Sequence, residues 1–215
     1  MADQGTTPQA GRAPEFSGKD LVVLSGPSGA GKTTVSRSVA RRLELLISVS
    51  ATTRSRRPGE CEGIDYYFVS RQEFEKRAGE GRFIEYAEVF GQMYGTPVEE
   101  LERARQRGKK ALLEIDVQGA IQIKKRFPEA LAILLLPPGP AALKRRLSKR
   151  GTEKPEEVER RFAKAQDEVR MARESKIYDA EVVNDDLEAA IDEVVCIVQA
   201  WSAGKPSPAR GQIRR

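Results

Sequence analysis

Histidine is missing from all 215 residues. That removes the usual imidazole metal ligand and every histidine-based general base or triad. Cysteine is nearly missing as well. Cys61 and Cys196 stand far apart with no Cys-x-x-Cys spacing, so no disulfide framework is expected and a reducing, cytoplasmic setting is. No apolar run approaches the ~20 residues that cross a bilayer. The opening "MADQGTTPQAGRAPEFSGKD" has no apolar centre of the kind a secretion signal carries. No membrane partner is therefore expected. A large excess of one charge is also lacking: 37 Lys and Arg stand against 32 Asp and Glu, a net +5 with the signs intermixed. That surplus holds polyanions weakly and specifies no nucleic-acid groove, so no nucleic-acid partner is expected either. A homo-oligomer is left open.

What is present is an alternation. "LVVLSG" (21–26), "KALLEIDVQG" (110–119) and "LAILLLPP" (131–138) are apolar runs of the kind buried on both faces of a parallel sheet. Helical spacing follows each of them: Val35, Val39 and Leu43, then Ala120 to Phe127, then Ala141 to Lys149. A long charged helix is expected over Pro155 to Arg173, a short strand over 180–185 and a closing amphipathic helix after it. The fold class is α/β with a parallel sheet. Residues 51–96 break the rhythm with aromatic, period-two segments around a short helix at Arg71 to Ala78, which reads as a small mixed-β insert. The expected organisation is a polar tail over 1–18, a core over 19–50 and 97–202, the insert over 51–96, and a second tail over 203–215.

The stretch "GPSGAGKT" (26–33) fits Gly-x-x-x-x-Gly-Lys-Ser/Thr between a strand and a helix. Glycines let successive backbone N–H groups face one anion, and the helix N-terminus adds its positive end. Gly26, Pro27, Ser28, Gly29, Ala30, Gly31, Lys32, Thr33 and Thr34 are thus expected to hold a nucleoside triphosphate. Lys32 would reach the terminal phosphates, and the Thr33 hydroxyl would ligate Mg²⁺. No Asn-Lys-x-Asp motif of a GTP switch is present. A short chain of this kind suggests a kinase with a small acceptor.

In "GRFIEYAEVF", read as a strand, Phe83, Glu85, Ala87 and Val89 share a face, and Glu88 falls on the other, solvated one. A carboxylate in an apolar row needs a partner. For Glu85 that is either an insert arginine or the edge of a base, and guanine's adjacent N1–H and N2–H₂ match two carboxylate oxygens. Tyr66, Tyr67 and Tyr94 read first as half-buried packing residues. In "LLEIDVQG", Leu112, Glu114 and Asp116 share a face. Asp116 lies at the strand's C-terminal end, where it would hold a Mg²⁺-bound water or an arginine. Glu114 is expected to pair with a cation in a structural role. "RGTEKPEEVERRF" carries both signs in the manner of an exposed helix.

These segments, in order "LSGPSGAGKTT", "SVSATTRSRRPGE", "GIDYYFVS", "FIEYAEVFGQMYGTP", "LLEIDVQGA", "RGTEKPEEVERRF" and "AEVVNDD", resemble the guanylate kinase family in its bacterial form, over about residues 20–200. The resemblance implies a P-loop nucleoside monophosphate kinase that phosphorylates GMP with ATP and Mg²⁺, with dGMP admitted as an acceptor. It implies that Arg54 and Arg57 hold the GMP phosphate with Tyr66 and Tyr94, while Arg56 is solvated. Ser50, Glu85 and Thr96 would surround the guanine, and Asp116 would lie near acceptor and metal. Arg150 and Arg161 would belong to a helical lid over about 148–173, hinged near Gly151, and Asn184 to the adenine site. Lys32, Arg54, Arg150 and Arg161 would then be the catalytic cations. The rivals are a related kinase with a sugar-phosphate acceptor, and a non-catalytic guanylate-kinase-like binding module.

Overall fold

The computed structural model describes residues 16–148 and 155–205. The expected lid residue Arg150, its hinge Gly151 and most of both tails lie outside the described residues. Phe16 packs against the core, and Ser17 caps a 3₁₀ turn at Gly18–Asp20 by accepting from the Lys19 N–H. The described fold therefore begins a little before the expected boundary.

One sheet carries five parallel strands in the order β2-β7-β1-β8-β9: β1 Leu21–Ser25, β2 Leu46–Ile47, β7 Ala111–Glu114, β8 Leu131–Leu136 and β9 Ala180–Val183. The alternation of side chains along β1 sorts the core into two layers. Val22 and Leu24 face α1 (Lys32–Leu43) and α7 (Leu187–Ser202) through Val35, Val39, Ile191 and Val194. Leu21 and Val23 face α3 (Val98–Gln106) and α4 (Val117–Arg126) through Leu101, Ala104, Ala120 and Ile123. Helices α5 (Pro140–Ser148) and α6 (Pro155–Ser175) pack on each other through Leu143, Leu147, Val158 and Ala165. Farther along α6, Ala172 reaches the layer of Leu134 and Leu136.

The insert is a second sheet, order β4-β3-β6-β5, built from β3 Ala51–Thr52, β4 Tyr67–Phe68, β5 Phe83–Val89 and β6 Gln92–Pro97, with α2 (Arg71–Gly79) laid on it. It is mixed: β3 and β4 run parallel, the other pairs antiparallel. Its own small core centres on Phe74 and Phe83, stacked with ring centroids 4.4 Å apart.

Three local expectations are corrected. The strand of "ALLEIDVQG" ends at Glu114 and α4 starts at Val117, so Asp116 is a helix N-cap rather than a strand residue. Its carboxylate accepts from the Gly119 N–H at 2.8 Å, which satisfies one open donor of the first turn. Phe83 does not share the face of Glu85. The β5–β6 register shifts between the two, a bulge that leaves Phe83 and Tyr86 against Phe74 while Glu85 turns to the other side. Helix α3 and strand β2 were not expected, and the aromatic run "IDYYFVS" yields only the two-residue β4.

Candidate active site

The phosphate loop leaves β1 at the centre of the parallel sheet, between β7 and β8, where open α/β sheets gather ligands beyond their strand ends. Gly31 opens α1 in the left-handed region (φ 93°), and no side chain caps this helix. The N–H groups of its first turn are thus presented to an anion. A Cβ on Gly31 would lie 2.4 Å from Asn184 Nδ2, and that amide donates to the Ala30 carbonyl at 2.8 Å. Buried Asn184 therefore braces the loop from behind, and its own carbonyl accepts from Arg146. Lys32 Nζ folds back along the loop, donating to the Gly26 carbonyl at 2.6 Å and to that of Pro27 at 3.2 Å.

The sequence expectation for Glu114 is also revised. Among the described residues it accepts from two hydroxyls, Thr33 Oγ1 at 2.5 Å and Ser36 Oγ at 2.8 Å. From helix α6, buried Arg161 donates to Ser28 Oγ at 2.9 Å, and Glu168 accepts from the Ser28 N–H at 3.2 Å. Burial pushes the Glu168 carboxyl above its ordinary range, against the pull of Lys32. Sequence reasoning singled out neither Glu168 nor Glu114 as a site residue.

Facing the loop, Glu85 is 4% exposed and directly opposite Thr96 in the ladder. The Thr96 N–H (2.9 Å) and Oγ1–H (2.6 Å) both donate to its Oε1. Among the described residues, no arginine forms an ion pair with it. Oε2 points at the first turn of α4, where a Cβ on Gly119 would approach it to 2.4 Å, so glycine is needed there. Burial raises the Glu85 carboxyl from its ordinary 4.5 to about 7; the Thr96 hydrogen bonds oppose this and Asp116 adds to it. Gln122 of α4 clasps both backbone groups of Tyr86, accepting from its N–H at 3.2 Å and donating to its carbonyl at 2.8 Å, and so ties β5 to the core.

The arginine loop is already organised around a carboxylate that the sequence did not suggest. Arg54 makes a two-pronged contact with Glu60 (3.0 and 2.8 Å), which also accepts from the Arg57 N–H at 2.8 Å. The guanidinium lies over the Tyr66 ring, 5.3 Å from its centroid, and Tyr94 packs edge-on against Tyr66. Burial works against the Arg54 charge, while bonds to Glu60 and Tyr94 more than restore it. Burial also pushes the Tyr66 hydroxyl up to about 12, so it remains a donor at neutral pH. Tyr67 is spent elsewhere, on Glu100 at 2.9 Å.

A cleft of about 500 Å³ joins these parts. The loop contributes Gly26, Ser28, Gly29, Gly31, Lys32, Thr33 and Thr34; the insert Arg54, Arg57, Tyr66, Glu85 and Tyr94; the core Ser50, Glu114 and Asp116; and helix α6 Arg160, Arg161 and Glu168. Pro27, Ala30, Thr96 and Asn184 stand behind this lining, and Arg56 is exposed away from it. Among the described residues no cluster of three or more carboxylate or thiol groups is placed to hold a metal by itself.

A parallel sheet with a Gly-Lys-Thr loop on its central strand, and a second sheet presenting arginines across the cleft, defines a P-loop phosphotransferase. The guanylate kinase family model matches residues 18–201. A guanylate kinase of Thermus thermophilus is 49% identical over 180 residues, covering 84% of this chain and 80% of that protein. One of Symbiobacterium thermophilum is 43% identical over 184 residues, covering 85% and 86%. The crystal structure of guanylate kinase from Anaplasma phagocytophilum superposes with a TM-score of 0.69 at 36% identity, covering 84% of each chain. The chain belongs to the guanylate kinase family.

Proposed function

We propose that this chain transfers the γ-phosphoryl group of ATP to GMP, giving ADP and GDP. A GMP phosphate oxygen attacks the γ-phosphorus as the bond to the β-phosphate oxygen of ADP breaks. The observation that carries the acceptor's identity is the buried Glu85 carboxylate on the wall of the cleft. With Oε1 held by Thr96, an ionised Glu85 accepts from guanine N1–H and N2–H₂, whereas adenine would strand the charge. Ser50 lies beside the base, and Arg54, Arg57, Tyr66 and Tyr94 take the acceptor phosphate. These roles read the base and the phosphate alone, so dGMP is also an acceptor.

The residues 26–34, with Lys32, receive the ATP phosphates. Arg161 closes over them from helix α6, and Asn184 keeps the loop in shape beside the adenine. Attack by one anion on another needs fixed positive charge and exclusion of water rather than a strong base, so the lack of histidine is no obstacle. The donor set fits Mg²⁺. Thr33 Oγ1 and Asp116 supply few protein oxygens, and Mg²⁺ habitually completes its shell with phosphate and water. Bound there, it would neutralise charge developing on the bridging phosphate oxygens. Glu114 orients the Thr33 hydroxyl. Both cysteines are free and no described helix can cross a membrane, which fits the cytoplasmic setting proposed.

A coupled ADP-release assay tests the proposal. GMP is expected to turn over with ATP, and AMP to lag by about 10⁴-fold in kcat/KM. Equal turnover of AMP, or turnover of a ribose bisphosphate instead of GMP, would overturn it.

Glu85 also predicts a pH dependence of opposite sign for binding and stability. Its folded pKa of about 7 lies above its ordinary 4.5. As pH falls below 7 the empty protein protonates Glu85, so GMP affinity drops, approaching tenfold per pH unit. Over the same window, from 7 toward 4.5, the unliganded fold gains about 3 kcal/mol from this group, because the folded state binds the proton more tightly. GMP titration by calorimetry at several pH values, repeated on Glu85→Gln to subtract the titration of the phosphate, measures the first effect. Thermal melts measure the second.

A further inference from the structure

Strands β5 and β6 are joined by the two residues Phe90 and Gly91, both with positive φ (53° and 75°). Two-residue hairpins of this kind favour Asn-Gly or Asp-Gly, because a bulky side chain is strained in the left-handed region. An aromatic residue is therefore held at the tip against its local preference, which points to a use beyond the turn. Packing in the insert does not supply that use, since Phe90 is 39% exposed and is not part of the Phe74–Phe83 core. Its ring faces α6 instead. Lys164 Nζ lies 4.3 Å from the ring centroid and Arg160 Cζ 5.2 Å, one helical turn apart. Phe90 and Arg160, with Asp116 and Glu168, form the wall shared by the nucleotide cleft and a second cavity of about 490 Å³.

The geometry points to Phe90 as a positioning residue that couples the two substrate sites. It sits at the end of the strand that carries Glu85 and holds the lid helix that carries Arg160, Arg161 and Glu168. Movement of the insert onto GMP draws α6 inward through this ring, and sets Arg160 on the rim of the phosphate cleft. Ordering of α6 by ATP holds the insert shut in return. Each ligand therefore raises the affinity for the other through one contact, and the effect is reciprocal. The inference rests on the proposed two-nucleotide reading of the cleft.

The test is calorimetric titration of GMP into the full chain with and without a non-transferable ATP analogue. In the unaltered protein the analogue tightens GMP binding. In Phe90→Ala and Phe90→Leu that tightening shrinks by about five- to tenfold, the scale of two exposed cation–π contacts, and Phe90→Trp retains it. Leucine keeps the apolar bulk, so a loss shared with alanine and rescued by tryptophan identifies the aromatic face. The same tightening in all four proteins overturns the inference, as does its absence from the unaltered one. Failure of the unaltered protein to bind GMP at all would instead sink the acceptor assignment.

Discussion

Lys32→Ala lowers kcat about 10³-fold while the KM for GMP changes by less than about threefold. The asymmetry follows from where the ammonium sits. Lys32 opens α1 and lies along the loop at Gly26 and Pro27, on the side of the cleft proposed for the triphosphate, whereas the groups proposed for the acceptor come from the insert. In the proposed reaction, charge on the transferring phosphoryl oxygens is met there by a preorganised donor, which acts more strongly once the substrates exclude bulk water. Because Lys32 also bonds loop carbonyls, the alanine variant is checked by melting and by its affinity for GMP alone. Lys32→Arg separates charge from geometry: it keeps the charge, but its larger planar head does not fit the same two carbonyls, so activity stays well below that of the unaltered protein. A rate for Lys32→Ala within about threefold of normal would show that the triphosphate site is misplaced.

Glu85→Ala lowers kcat/KM for GMP about 10³-fold and leaves that for AMP level or slightly raised, so that the preference falls by at least about 10³. The expected size reflects burial. A carboxylate that is 4% exposed and fixed on one oxygen by Thr96 cannot turn to water when the wrong base arrives. Removing it abolishes both the attraction for guanine and the penalty against adenine. The pH dependence of GMP binding assigned to Glu85 vanishes with it. Retained GMP preference in Glu85→Ala would move base recognition to other groups in the cleft.

Much of this was legible in the sequence because it is carried by local chemistry. A Gly-Lys-Thr stretch between an apolar run and a helical pattern fixes the loop, and the strand–helix alternation fixes a parallel sheet. The family resemblance also brought Arg54, Arg57, Tyr66, Glu85 and Tyr94 together, and the folded chain sets all five on one cleft. What was not legible depends on distant pairing. Strand β2 is two residues long and owes its existence to β7. The bulge that separates Phe83 from Glu85 is invisible to a strict period of two. Asp116 reads as a strand residue because it shares a face with Leu112 and Glu114 in the run "KALLEIDVQG", although the helix already begins at Val117. The bond from Ser28 to Glu168 spans 140 positions, and that from Thr33 to Glu114 spans 81. No local pattern reports either. The pairing of Glu60 with Arg54 is closer in sequence, six positions apart, yet it too depends on how the Pro58-Gly59 turn folds the loop back, which no periodicity reports.

The central claim is that this cleft brings two phosphates together between the loop at 26–33 and the arginines of the insert. A crystal structure with GMP and a non-transferable ATP analogue bound measures it directly. The account predicts guanine N1 and N2 on Glu85 and an acceptor phosphate oxygen about 3–3.5 Å from the γ-phosphorus, in line with the leaving oxygen. GMP seated with its base away from Glu85, or its phosphate out of reach of the γ-phosphate with the lid and insert closed, would contradict it.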